Sequence, residues 1–233
     1  MAALAFVGAL APLSATGWVA GLSYLVVSTL LVARGLGRQR PARFGPANTA
    51  TAARSVLIGV VTALVATSLT QPVPPWVVVT IASPALALDA VDGWLARRTG
   101  TETALGARFD MEVDAFALLA LSVFVAGTLG WWVVAIGLMR YAFVAAGWAM
   151  PWLKARLPAR YWRKVVTAVC GITLVLAATG AAPSALAGGA VALALALLVE
   201  SFGRDVVWLA RAHLSAREGL TEESAEAALK WWI

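Results

Sequence analysis

An all-α, polytopic transmembrane bundle is the fold class predicted by three features of the sequence: its apolar excess, the length of its uncharged runs and the placement of its few charges. Of 233 residues, 61% are hydrophobic and only 13% charged, with a mean hydropathy of +0.83. A soluble domain of this composition would be coated in apolar surface, so the solvent it is built for is lipid.

A helix needs roughly 20 predominantly apolar residues to cross the hydrocarbon core. Seven such segments lie at approximately 13–33, 51–70, 73–96, 113–129, 131–152, 164–181 and 184–203. The first is preceded by a further uncharged stretch suited to an interfacial or re-entrant piece. The first charge in the chain is Arg34, so the basic region of a cleaved signal is missing and the first segment is expected to stay in the membrane.

Orientation follows from Lys and Arg, which accumulate in short cytoplasmic loops. Arg34, Arg38, Arg40, Arg43 and Arg54 lie in or beside one connection, Arg97, Arg98 and Arg108 in a second, and Lys154, Arg156, Arg160, Arg163 and Lys164 in a third. Two expected spans separate each of these loops from the next, which puts all three on one face. The intervening connections, Thr70 to Pro75, Leu129 to Trp132 and Gly180 to Ser184, are uncharged. Six core spans with both ends cytoplasmic, plus one extra N-terminal span, satisfy both the count and the rule. The division expected is 1–47 for the N-terminal membrane segment and basic loop, 48–203 for the six-span core, and 204–233 for a C-terminal cytoplasmic or interfacial helix. Thr221, followed by Glu222 and Glu223, has the form of a helix start with acids at the positive end of the dipole.

Several function classes are excluded or weakened by composition. The net charge of +6 is dispersed between apolar runs instead of forming a basic arm or recognition helix, so anionic lipid and phosphorylated substrates are expected as partners and nucleic acid is not. The single cysteine, Cys170, admits no intramolecular disulfide and is expected as a small buried or lipid-facing residue. His213 is expected at the surface, and Trp76, Trp131, Trp132, Trp152 and Trp162 near span ends suit interfacial anchoring.

The acidic residues carry the chemistry. Six of the twelve lie between Asp89 and Asp114, and the others do not begin until Glu200. Asp89 follows sixteen uncharged residues from Val73 to Leu88, so on a continuous helix it and Asp92 stand at the cytoplasmic end. Steps of three and four put 89, 92, 93 and 96 on one face, as they do Asp110 and Asp114. Gly93 and Ala96 keep the first of these faces low enough for close approach of a ligand or helix, and Gly106 suits the same purpose opposite. Carboxylates gathered at a membrane boundary repel one another and lose hydration, and bound cations remove that penalty. Hard oxygen donors without His or Cys favour Mg²⁺ or Mn²⁺, and two such ions suit chemistry at phosphate. Pairing of the acids with Arg97, Arg98 and Arg108 is the structural alternative. A cation or proton transporter is the functional one, although the acids cluster at one mouth with no polar counterpart near the opposite face.

Written out, the segment is Asp89-x2-Asp92-Gly93-x2-Ala96-Arg97-x8-Gly106-x3-Asp110-x3-Asp114, and it resembles the signature of the CDP-alcohol phosphatidyltransferase family at all eight identities and every gap. Asn48-x2-Thr51-x2-Arg54 is a second, weaker likeness. The resemblance implies transfer of a phosphatidyl group from a CDP-linked lipid, CDP-diacylglycerol, to an alcohol with release of CMP. It implies two divalent cations held by Asp89, Asp92, Asp110 and Asp114, with Asp114 also the general base. Thr51, Gly93, Ala96, Arg97 and Gly106 would shape the nucleotide site, and a homodimer in the cell membrane with a cytoplasmic active site is expected by the same likeness.

Arg140 is the only charge between Asp114 and Lys154, and the cost of an arginine within a span favours a substrate or structural carboxylate contact. Arg160, Arg163 and Lys164 begin the next-to-last span, where the family often meets an anionic acceptor. These four are the candidate acceptor contacts, and they favour a phosphorylated alcohol such as inositol phosphate or glycerol phosphate. Glu102, Glu112 and Glu200 are expected to be solvated or locally paired, and Tyr141 to serve packing.

Overall fold

Backbone amides cannot find partners in hydrocarbon, so a chain this apolar must satisfy them within each segment, and helices do so. The structure, a computed structural model, describes residues 12–38, 46–99, 104–155 and 161–230, with backbone alone at 32, 35–38, 46–51, 89–99, 104–105, 107–108 and 216–230. Among the described residues it is all-α. The helices are α1 (Ala15–Arg38), α2 (Pro46–Ser68), α3 (Pro75–Thr99), α4 (Ala104–Leu129), α5 (Val134–Ala149), α6 (Tyr161–Ala178) and α7 (Ser184–Lys230), and short 3-10 turns at Trp131–Val133 and Pro151–Lys154 flank α5.

The expected polytopic bundle is what forms. Four stretches, Phe109–Leu129, Trp131–Ala149, Tyr161–Ala178 and Ser184–Ser215, are long and apolar enough to cross a membrane. The shorter apolar stretches Ala15–Leu31, Ala52–Ser68 and Pro75–Leu88 belong to α1, α2 and α3, each of which has polar sequence within the same helix. α3 runs unbroken through Pro84, with Ser83 donating its hydroxyl to the Val79 carbonyl at 2.8 Å. Asp89 and Asp92 therefore do lie on the helix that carries the preceding apolar run. At the C-terminal end the outcome differs from expectation: no new helix starts at Thr221, because α7 is continuous from Ser184 to Lys230. The acids at 222 and 223 extend an existing helix, and the good helix formers around them give it no reason to stop.

α2 packs against α1, α3 and α4, and α4 also packs against α5 and α6. The main core joins α2 through α7 by way of Val61, Leu64, Val78, Leu121, Val125, Ile136, Leu174 and Val191. Two glycines permit the closest approaches. A Cβ at Gly137 would collide with the Leu119 backbone, and one at Gly17 would meet Thr67 Oγ1 and the Ala63 carbonyl. Hydroxyls inside the apolar helices bond back to their own carbonyls, as Thr62 does to Ile58 at 2.7 Å and Ser122 to Leu119 at 2.9 Å, so these donors are satisfied without water. Cys170 is buried, as expected, with its sulfur 3.6 Å from the Ala194 carbonyl. Trp76, Trp131, Trp132 and Trp162 are exposed side chains, in keeping with interfacial anchoring. His213 is partly exposed, and its ring stacks on Trp152 with centroids 6.0 Å apart.

Candidate functional site

An ion-pair cluster joins the N-terminal parts of α2 and α4. Asp110 and Asp114, one helical turn apart, reach the same atom, Arg54 Nη2. Asp110 Oδ1 lies 2.5 Å from it and Asp114 Oδ1 2.9 Å. The same nitrogen also donates to the Asp110 carbonyl at 3.3 Å. Arg54 is 2% exposed, whereas the two carboxylates are 33% and 29% exposed. The cation is thus inside and the acids form the accessible lip.

In sequence Arg54 stands beside the basic connection, at the start of the first core span. In the structure it is a buried partner of two acids on another helix, and its desolvation is tolerable because charge-assisted bonds replace water. Near the trio a small apolar layer of Ile58, Ala85, Val113 and Ala117 is joined by Tyr24, Leu57, Phe109 and Phe116. It limits the access of water to the inner side of Arg54 and holds α2, α3 and α4 in one unit. Gly106, one turn before Asp110, is partly buried.

Asp89, Asp92, Gly93, Ala96 and Arg97 lie on α3, which packs against α2, and Thr51 lies on α2. Their side chains are outside the described residues, as is Arg160 altogether. By helix register Asp89, Asp92, Gly93 and Ala96 share a face. Among the described residues no group of three His, Cys, Asp or Glu side chains is gathered as for a metal ion. What Asp110 and Asp114 do display is convergence: two carboxylate oxygens meet one cationic nitrogen at distances of 2.5 and 2.9 Å. With Arg54 counted, the three groups retain an excess negative charge, and an all-oxygen donor pair suits a hard divalent cation.

The candidate acceptor residues are placed less uniformly. Arg140 Nη2 contacts Glu112 Oε1 at 2.7 Å, so the carboxylate it meets is a structural one and Glu112 is locally paired. Its Nε is buried without a hydrogen-bond partner among the described residues. Arg163 Nη1 lies 3.3 Å from Asp205 Oδ2, on α7, and Asp205 is buried. Lys164 is exposed. Glu200 pairs with Arg204 one turn on and accepts from Trp162 Nε1 at 3.2 Å. Sequence reasoning missed Asp205 and the role of Arg54. A usable signal for Arg54 existed, since it is a cation close to the start of the apolar stretch of α2 and is spaced three residues from Thr51.

No curated protein and no solved structure gave a significant match. The family described as CDP-alcohol phosphatidyltransferase matches residues 44–200, a segment that begins just before α2 and ends within α7, taking in the whole Arg54, Asp110 and Asp114 trio. With this match on a bundle whose four long apolar helices make it an integral membrane protein, the chain belongs to the CDP-alcohol phosphatidyltransferase family, whose members transfer a phosphatidyl group from a CDP-linked donor to an alcohol.

Proposed function

We propose that this chain transfers the phosphatidyl group of CDP-diacylglycerol to a phosphorylated alcohol, with inositol phosphate and glycerol phosphate the leading acceptors, in a metal-dependent reaction. The observation that carries the proposal is the convergence of Asp110 and Asp114 on one cationic point between two packed helices. Asp89, Asp92, Asp110 and Asp114 would hold two divalent cations, Mg²⁺ or Mn²⁺. When bound, these supply charge neutralisation for the donor pyrophosphate and the departing CMP.

The remaining work falls to side chains. Asp114 accepts the proton of the acceptor hydroxyl as its oxygen attacks the phosphorus that bears diacylglycerol. The new P–O bond forms, the bond to the CMP phosphate breaks, and CMP leaves with the bonding pair. Arg54 fixes the position of Asp110 and Asp114 from the buried side, so the carboxylates need not reorganise during the reaction. Thr51, Gly93, Ala96, Arg97 and Gly106 shape the nucleotide site.

A phosphorylated acceptor is supported by the cationic charge of Arg160, Arg163 and Lys164 at and before the start of α6. Arg163 is anchored by Asp205, and an anionic acceptor would reach Arg140 only by sharing it with Glu112. The proposed unit is the six-span core, 48–203, working as a homodimer in the cell membrane with the acidic mouth facing the cytoplasm, where CDP-linked donors can keep their acyl tails in lipid.

Purified protein in bilayer nanodiscs, given CDP-diacylglycerol, Mg²⁺ or Mn²⁺ and a panel of alcohols and alcohol phosphates, is expected to release CMP and form a new lipid by mass spectrometry with at least one phosphorylated acceptor. Chelation should abolish the release and either metal restore it. Ion flux across vesicles with no CMP formed under any condition would favour the transporter reading instead.

A further inference from the structure

α1 precedes the segment that matches the family, yet it reaches the flank of the site. The Tyr24 ring stacks on Phe116 of α4 with centroids 4.7 Å apart and planes at 29°. Its hydroxyl lies 3.5 Å from Ser55 Oγ, next in sequence to Arg54. A Cβ at Gly59 would meet the Leu25 and Tyr24 side chains at 2.8 and 3.2 Å, so the absence of a side chain there lets α1 settle against α2 beside Ser55. Farther along, Ser14 N donates to Thr67 Oγ1 at 3.2 Å and Gln71 Nε2 to the Pro12 carbonyl at 2.6 Å, which pins the other end of α1.

We infer that Tyr24 is a positioning residue for the metal-binding carboxylates, bringing a helix outside the family segment into the active-site architecture. Phe116 lies two residues beyond Asp114, roughly 200° around the helix. The stack and the Arg54 contact therefore hold α4 at different points around its axis, with Tyr24 lying beside Ser55 on the flank of α2. Rotation of α4 by about 10° moves a side-chain tip roughly 6 Å from the axis by about 1 Å, a displacement on the scale that costs about 100-fold in a catalytic site. With α4 tied to Arg54 at the two carboxylates and to Tyr24 at Phe116, Asp110 and Asp114 have little freedom to turn.

This inference rests on the metal-binding reading of the site, and Mn²⁺ binding separates the two. Full-length protein in nanodiscs is titrated with Mn²⁺ and free ion is followed by electron paramagnetic resonance, comparing wild type, Tyr24→Ala, Tyr24→Leu, Tyr24→Phe and the exposed control Val27→Ala. Tyr24→Ala and Tyr24→Leu are expected to weaken Mn²⁺ binding about fivefold in the monodisperse fraction, while Tyr24→Phe, which keeps the stack, and Val27→Ala stay within about twofold. Tyr24→Leu retains most of the packing volume and carries the test if the alanine variant does not fold. Wild-type affinity in Tyr24→Leu, or an equal loss in Val27→Ala, overturns the inference and leaves the site intact. A wild type that binds no Mn²⁺ overturns the metal reading and this inference with it.

Discussion

Arg54 concentrates the energetics of the site, because a nearly fully buried guanidinium contacts two partly exposed acids. Removing one partner of a buried pair typically costs about 3–5 kcal/mol, and exposure of the acids places Arg54→Ala near the lower end, at about 3 kcal/mol. Thermal unfolding in detergent should show this loss, with Arg54→Lys intermediate because an ammonium restores the charge on a shorter stem. CMP release should fall in the same order. Asp114→Asn is expected to keep donor binding while turnover falls on the order of 100-fold or more, whereas Asp110→Asn should also weaken Mn²⁺ binding. Equal donor affinity and full turnover in both would remove the base and ligand roles together. That Asp110 and Asp114 share a face was readable from their spacing, since a four-residue step on a helix returns to one side. Their pairing with Arg54 was not, because Arg54 and Asp110 are 56 residues apart and only packing of α2 on α4 joins them.

Close packing at small residues is what lets the helices carry these side chains into register. Gly137 faces the Leu119 backbone so closely that Gly137→Ala must push α4 and α5 apart, and a loss of about 2 kcal/mol is expected from such overpacking. Gly188, on α7, has nothing within 4 Å of an added Cβ, and Gly188→Ala should leave the unfolding temperature unchanged or slightly raised. A comparable drop for both substitutions would show that helix–helix contact at Gly137 is not the cause. The apolar runs made each helix legible. Helix ends were harder to read: α7 passes through Thr221 because a capping residue acts only where the chain has reason to leave the helix, and a sequence of good helix formers gives none.

Across the whole bundle, the distribution of Lys and Arg predicts that Thr70 and Lys154 lie on opposite sides of the membrane. Both are exposed. In intact cells Thr70→Cys should react with an impermeant maleimide, while Lys154→Cys should react only after permeabilisation, and the buried Cys170 should stay silent. Labelling of both from one side would overturn the orientation.

By itself the sequence determined that this chain enters lipid, that its segments are helices, and that its acids stand three and four residues apart on two of them. Hydropathy and helical period are local properties, fixed within a few turns of chain. Tertiary structure alone decided that Arg54 is buried against Asp110 and Asp114, that Arg163 meets Asp205, and that Tyr24 of α1 rests on Phe116. Each of those contacts joins residues far apart in the chain, and which long-range pairs meet is set by how helices pack around small residues, a property no single segment contains.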